Sequence, residues 1–290
     1  LVSYAISIIK SAIASGERIF EILDTKPERH LRDGKIELRT CTGDIEFQDV
    51  AMVYADGTKA LKGISFHIKS GETIGIMGPT GSGKTSVISL IPRFYDAKSG
   101  SVLIDGRNIK DYTIASVRQF VAIVAQENFL FGDTIRANIA YGRPNASFEE
   151  IIEAAKISDI HEFIESLPEG YDTEIGERGV NLSGGQKQRL SIARAIIKDP
   201  SILIMDDSTS AVDMETEARI QNELKAIARN RTTIIIAQRV SSVMHADKII
   251  VIEDGKISEM GNHDELLANG GRYSAIYDMQ FGDEAKSGGL

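Results

Sequence analysis

One cysteine in 290 residues, Cys41, excludes an intrachain disulfide framework and fits a reducing compartment. No second cysteine or nearby histidine completes a metal set around it, so it reads as an incidental thiol in a linker. Positive charge is also in short supply. Thirty-three Lys and Arg against 42 Asp and Glu leave a formal net charge of -9, which argues against a general nucleic-acid surface. Any anion bound here must be held by local geometry. The opening apolar run, LVSYAISII, ends at Lys10, short of the ~20 residues a bilayer span needs. It has neither the basic segment nor the initiating Met of a signal peptide, and the chain reads as truncated. Residues 1 to 9 are then either the last turns of a membrane helix running on through SAIASGERIFEILD, or an amphipathic helix packed on the domain. No internal repeat is visible.

What is present is a core: 42% hydrophobic residues, enough for one large α/β domain or two small ones. Residues 24–43 are charged, with Pro27 and two glycines, so the linker is expected there and the folded domain from Asp44. IEFQDVAMVY and ALKGISFHI partly alternate apolar and polar residues, as an antiparallel flank would. ETIGIMG, FVAIVAQ, SILIMD, TTIIIAQ and DKIIVIED are nearly unbroken runs, the pattern of strands covered on both faces. Between the second and third runs, SFEEIIEAAKI and IHEFIESL repeat apolar residues three and four apart, giving a helical subdomain over about 133–200. A final helix is expected to end near Met279, and residues 282–290 to fray.

GPTGSGKT, residues 78–85, matches GxxxxGK[ST] after a buried-type strand and before a helical stretch. Gly78, Gly81 and Gly83 let the backbone curl, with Pro79, Thr80, Ser82 and Ser86 around them, so that N–H groups and the helix dipole face a phosphate. Lys84 then bridges β- and γ-phosphates and Thr85 is the expected Mg²⁺ ligand. A second anion site lies in NLSGGQKQRL. Ser183 and Gln186 have capping-box spacing, so a helix begins there with Gly184 and Gly185 exposed, just after Leu182. The strand SILIM then delivers two adjacent carboxylates, Asp206 and Asp207.

In this order and spacing, the P-loop, LSGGQ, ILIMD and SAVD stretches closely resemble the nucleotide-binding domain of ATP-binding cassette (ABC) transporters, over about residues 44–281. The resemblance implies a P-loop NTPase of the α/β class: a central, mainly parallel sheet, an antiparallel β flank and a helical subdomain. It implies ATP and Mg²⁺ as ligands, with two domains meeting head to tail so that each ATP lies between one chain's P-loop and the other's LSGGQ. Residue by residue, it implies that Tyr54 stacks on adenine, Gln126 contacts Mg²⁺ and the attacking water, and Asp206 holds Mg²⁺ through water. Ser210, Ala211, Val212 and Asp213 match the loop that crosses the dimer interface.

SAIASGERIFEILD resembles the connector between the last membrane helix and the ATPase of exporters, which makes residues 1–23 the end of that helix and its connector, and YDTEIGERG resembles the exporter loop that meets the membrane domain. The implied setting is the cytoplasmic face of a membrane, with the substrate touching membrane helices outside these residues. Two positions depart from hydrolytically active members. Asp207 replaces a glutamate that polarises water, and Gln238 replaces a histidine that steadies the γ-phosphate. With LSGGQ intact, the pair resembles the weakened-site subunit of heterodimeric exporters, whose partner is a second half-transporter. A homodimer with modest turnover, and an ATP-dependent clamp that transports nothing, remain the alternatives.

Overall fold

The computed structural model describes residues 2–25, 33–176, 179, 181–206, 216 and 231–287, with side chains through Phe281. Strands β1 (Ile45–Val53), β2 (Lys59–Ile68), β4 (Ser99–Ile104) and β5 (Arg107–Asn108) form an antiparallel sheet in the order β2-β1-β4-β5. A six-stranded sheet holds β3 (Thr73–Met77), β6 (Val121–Val124), β7 (Ile202–Asp206), β8 (Thr232–Ile236), β9 (Lys248–Glu253) and β10 (Lys256–Gly261). Its order is β10-β9-β3-β8-β7-β6, and only the β10–β9 pair is antiparallel. The expected parallel sheet and antiparallel flank are both there.

The unbroken Ile and Val runs have a simple cause. Along a strand, successive side chains point to opposite faces, and both faces of this sheet are covered. In β7, Ile202 and Ile204 enter the core shared with the antiparallel sheet, while Leu203 and Met205 enter the core of the helical region. In β8, Ile234 and Ile236 join the first core and Ile235 joins a third, under the C-terminal helices. Both faces are therefore largely apolar.

Helix α2 (Lys84–Leu90) follows β3 and buries Val87, Ile88 and Leu90 in the first core; α3 (Ile114–Phe120) precedes β6. The second core is enclosed by α4 (Ile135–Ala140), α5 (Phe148–Ile157), α6 (His161–Glu165) and α7 (Gly184–Ile196). Ser147 and Glu150 cap α5 reciprocally. Buried Asn138 donates to the carbonyls of Phe131 and Thr134, and Arg194 grips the Asn138 carbonyl at 2.9 Å and its side-chain oxygen at 2.7 Å. Burial lowers the Arg194 pKa, and the Phe131 and Tyr141 rings lie against its guanidinium.

At the start, α1 (Val2–Asp24) is 23 residues long with no buried residue, and no described helix is long and apolar enough to cross a membrane. Residues 33–43 differ from the linker that their composition suggests. Backbone N–H groups of Gly34, Lys35 and Ile36 bond to the carbonyls of Tyr112 and Asp111, and Leu38 is buried. Asp105 accepts from Thr42 N, Thr42 Oγ1 and Asp44 N, while Ser201 Oγ donates to the Cys41 carbonyl and Thr232 Oγ1 to that of Gly43. This strap docks mainly by backbone bonds, with Leu38 buried and Cys41 packed beside the first core, which leave little trace in composition. At the other end, α8 (His263–Ala268) precedes α9 (Arg272–Ser287), which runs on past Met279 into residues expected to fray. Tyr273, Ile276, Tyr277 and Phe281 seat α9 on the third core, and once a helix is nucleated each further residue adds a hydrogen bond.

The strap also governs Cys41. Burial first, then the Asp105 carboxylate, raises its thiol from 9.0 to about 11. At pH 8 roughly one thiol in a thousand is then ionised, against about one in ten in the unfolded chain. Iodoacetamide is expected to label the native chain about 100-fold more slowly than the unfolded one, with the rate still climbing towards pH 11. Equal rates would mean that the strap does not stay docked.

Candidate functional site

β3 runs out at Met77, and the next six residues reverse the chain into α2. Gly78 sits at φ +145°, where an added Cβ would lie 2.1 Å from the Ile252 carbonyl oxygen. Gly83, at φ +108°, is the N-cap of α2, and no side chain caps that helix. The N–H groups of its first turn therefore point back towards the loop. Gly255 N–H donates to the Ser82 carbonyl and Ser82 N–H to that of Pro79, which closes the curl. Lys84 arches back over it, its ammonium donating to the Gly78 and Pro79 carbonyls at 2.8 Å each. The Ser82 hydroxyl is buried with no hydrogen-bond partner among the described residues. Beside the loop opens a cleft of about 320 Å³, lined by Tyr54, Lys59, Ala60, Lys84, Thr85 and Ser86. A ring of donors and two lysines around an open cleft is the chemistry that receives a polyphosphate.

Strand register extends the site along the carboxyl edge of the sheet. Ile76 of β3 faces Ile236 of β8, Ile236 faces Asp206 of β7, and Met205 faces Val124 of β6. With neighbouring strands about 4.8 Å apart, the segments carrying Gly78, Gln238, Asp206 and Gln126 leave one edge within about 14 Å. That edge is where open α/β sheets bind ligands. Asp206 is half-buried, and Thr85, Gln126 and Gln238 are exposed. Hydroxyl, amide and carboxylate oxygens from Thr85, Gln126 and Asp206 are the hard donors that Mg²⁺ takes. Among the described residues no group of three or more His, Cys, Asp or Glu could hold a metal. Asp207, Ser210, Ala211, Val212 and Asp213 lie outside the described residues.

The second helix start stands apart from the first. Ser183 caps α7, its Oγ accepting from Gln186 N–H while Gln186 Oε1 accepts from Ser183 N–H at 2.8 Å. Ser183 and Gly184 are exposed, Gly185 is half-buried, and Leu182 packs on the second core. The phosphate loop rests on the first core through α2, and LSGGQ on the second through α7.

Tyr54 has two supports that its sequence context does not reveal. Its hydroxyl is hydrogen-bonded to the Ser86 hydroxyl at 2.8 Å, and the Tyr95 ring stands edge-on at 5.1 Å. These hold the ring beside the cleft and limit its rotation. Tyr95 follows α2 in PRFYD, and only the fold brings it against Tyr54.

Comparison with known proteins agrees with this geometry. The family model for ABC transporters matches residues 61–210. An uncharacterized ABC transporter ATP-binding protein of Bacillus subtilis, YknU, is 50% identical over 97% of this chain and 48% of its own length. YgaD of the same organism, which carries the provisional name of multidrug export ATP-binding/permease protein, is 48% identical over 94% of this chain and 47% of its own. The chain thus spans about half the length of the curated relatives it matches. Among solved structures, a bacterial Atm1-family ABC exporter with ATP bound superposes with a TM-score of 0.84 at 40% identity, over 94% of this chain and 48% of the other.

Two loop glycines should respond differently to alanine. Gly78→Ala drives a methyl group into the Ile252 carbonyl at a strained φ, and is expected to cost at least about 3 kcal/mol in a denaturant titration and to abolish ATP binding. Gly81→Ala meets nothing within 4 Å and carries only its φ of +80°, so about 1–2 kcal/mol is expected. Equal costs would contradict the loop geometry.

Proposed function

Because this chain belongs to the ABC transporter family, we propose that it is the nucleotide-binding domain of an exporter, that it couples ATP binding and hydrolysis to export, and that its own P-loop site hydrolyses slowly. The observation that carries the reading is the curled GPTGSGKT loop between β3 and α2, with Asp206 on the same sheet edge. The export name of YgaD and the ATP-bound exporter at TM-score 0.84 support the exporter part.

In this reading Tyr54, braced by Ser86 and Tyr95, stacks on the adenine. Lys84 and the first-turn N–H groups of α2 hold the β- and γ-phosphates, orienting them towards the edge where Gln126, Asp206 and Gln238 emerge. Thr85, Gln126 and, through water, Asp206 are the residues that would hold Mg²⁺, which when bound offsets charge on the β- and γ-oxygens. Asp207 follows Asp206 as the base. An aspartate is one methylene, about 1.5 Å, shorter than glutamate, and a base must sit about 2.6–3.2 Å from its water. Gln238 can donate a hydrogen bond but carries no charge, unlike an imidazolium. Binding groups are intact while both hydrolytic groups are weakened.

The exposed start of α7 then has a use that its own P-loop does not supply. Gly184 and Gly185, just behind the Ser183 cap, turn the start of α7 outward, and we read Ser183, Gly184 and Gly185 as completing the site of a partner half-transporter, with Ser210, Ala211, Val212 and Asp213 crossing between. The pair is a heterodimer on the cytoplasmic face of the membrane, joined to its transmembrane domains through α1.

ATP turnover tests the slow-site reading directly. Asp207→Glu with Gln238→His is expected to raise the rate of the isolated chain on the order of 10²-fold. Wild type as fast as the double variant would favour a homodimer with ordinary turnover.

A further inference from the structure

After Ile236, β8 ends and the chain turns through Gln238 and Arg239 into a 3-10 turn, Val240–Ser242. A strand that stops leaves backbone groups without ladder partners, and each must find another. Two of them find theirs on one side chain. Gln280 of α9 accepts from Val240 N–H through Oε1 at 2.8 Å and donates from Nε2 to the Gln238 carbonyl at 2.8 Å. The amide thus closes on the backbone on both sides of Arg239, much as a neighbouring strand would.

The pairing is specific to this side chain. A carboxamide carries a donor and an acceptor on one planar group, a carboxylate only acceptors, and asparagine is one methylene short. Gln280 follows Tyr273, Ile276 and Tyr277 at spacings of three and four and adjoins Phe281, so it sits on the face of α9 that enters the third core. Val240 and Val243, fully buried, come to the same core from the loop. Packing therefore holds the turn against α9, and the amide sets its position along the chain at Gln238.

We propose that Gln280 is a positioning residue for the nucleotide site: by fixing the Gln238 backbone it sets how far the Gln238 side chain reaches towards the terminal phosphate. The proposal rests on reading Gln238 as the phosphate-facing group. C-terminal helix and nucleotide chemistry are linked through two hydrogen bonds, 42 and 40 residues apart in sequence.

The test is single-turnover ATP hydrolysis by this chain with Mg²⁺, for wild type, Gln280→Ala, Gln280→Glu, Gln238→Ala and the Gln238→Ala/Gln280→Ala double variant. Glutamate keeps the size and the acceptor for Val240 and loses the donor to Gln238. It serves as the measurement if alanine fails to fold in a thermal melt. Both Gln280 variants are expected to slow the chemical step about 10-fold while ATP affinity stays within about two-fold. The double variant should fall within about two-fold of Gln238→Ala, since both act through one side chain. Gln280→Glu at the wild-type rate beside a slowed Gln238→Ala, or losses that multiply in the double variant, would overturn the positioning role alone. Gln238→Ala at the wild-type rate would overturn the phosphate-facing reading and the positioning role together.

Discussion

Parallel pairing of β3, β8, β7 and β6 is the constraint on which the site depends. Four segments from distant parts of the chain leave the sheet at one edge only because their hydrogen-bonded register brings Ile76, Ile236 and Asp206 into one row and Met205 beside Val124. A slip of one residue in β7 would send Ile202 and Ile204 out of the first core and take Asp206 out of line with Ile236. The same isoleucines that make the sheet stable thus aim the carboxylate. Stability and site geometry are one constraint.

A chain of net charge -9 binds an anion only where geometry overrides the average field. Two helix starts that rest on different cores offer such geometry. One is uncapped and shielded by an arching lysine, the other capped by its own serine and open outward. Asn138 and Arg194 tie the second to the segment that leaves β6, so the two halves are distinct in packing yet connected through one polar hub.

The five buried strands were legible because strands covered on both faces need apolar residues at nearly every position, and the phosphate loop because glycines at 78, 81 and 83 before a lysine admit few other backbones. The two capping boxes, at Ser147 and Ser183, follow from local spacing. The strap was not legible. Its hold on the domain comes from backbone groups meeting Asp111, Tyr112 and Asp105, and charged residues around one leucine resemble any linker. Nor was the support of Tyr54 by Tyr95, or of the Gln238 turn by Gln280. Each joins residues tens of positions apart through a side chain whose type is common on surfaces. The extension of α9 past Met279 was missed because its anchors lie upstream of the polar residues themselves.

The strap also has a mechanical meaning. Its last residues are bonded to Ser201, which stands directly before β7, and to Thr232, the first residue of β8. A force on the strap would therefore act at the amino ends of two strands. Their far ends present Asp206 and the turn of Gln238, so the strap and the site grip opposite poles of the same strands.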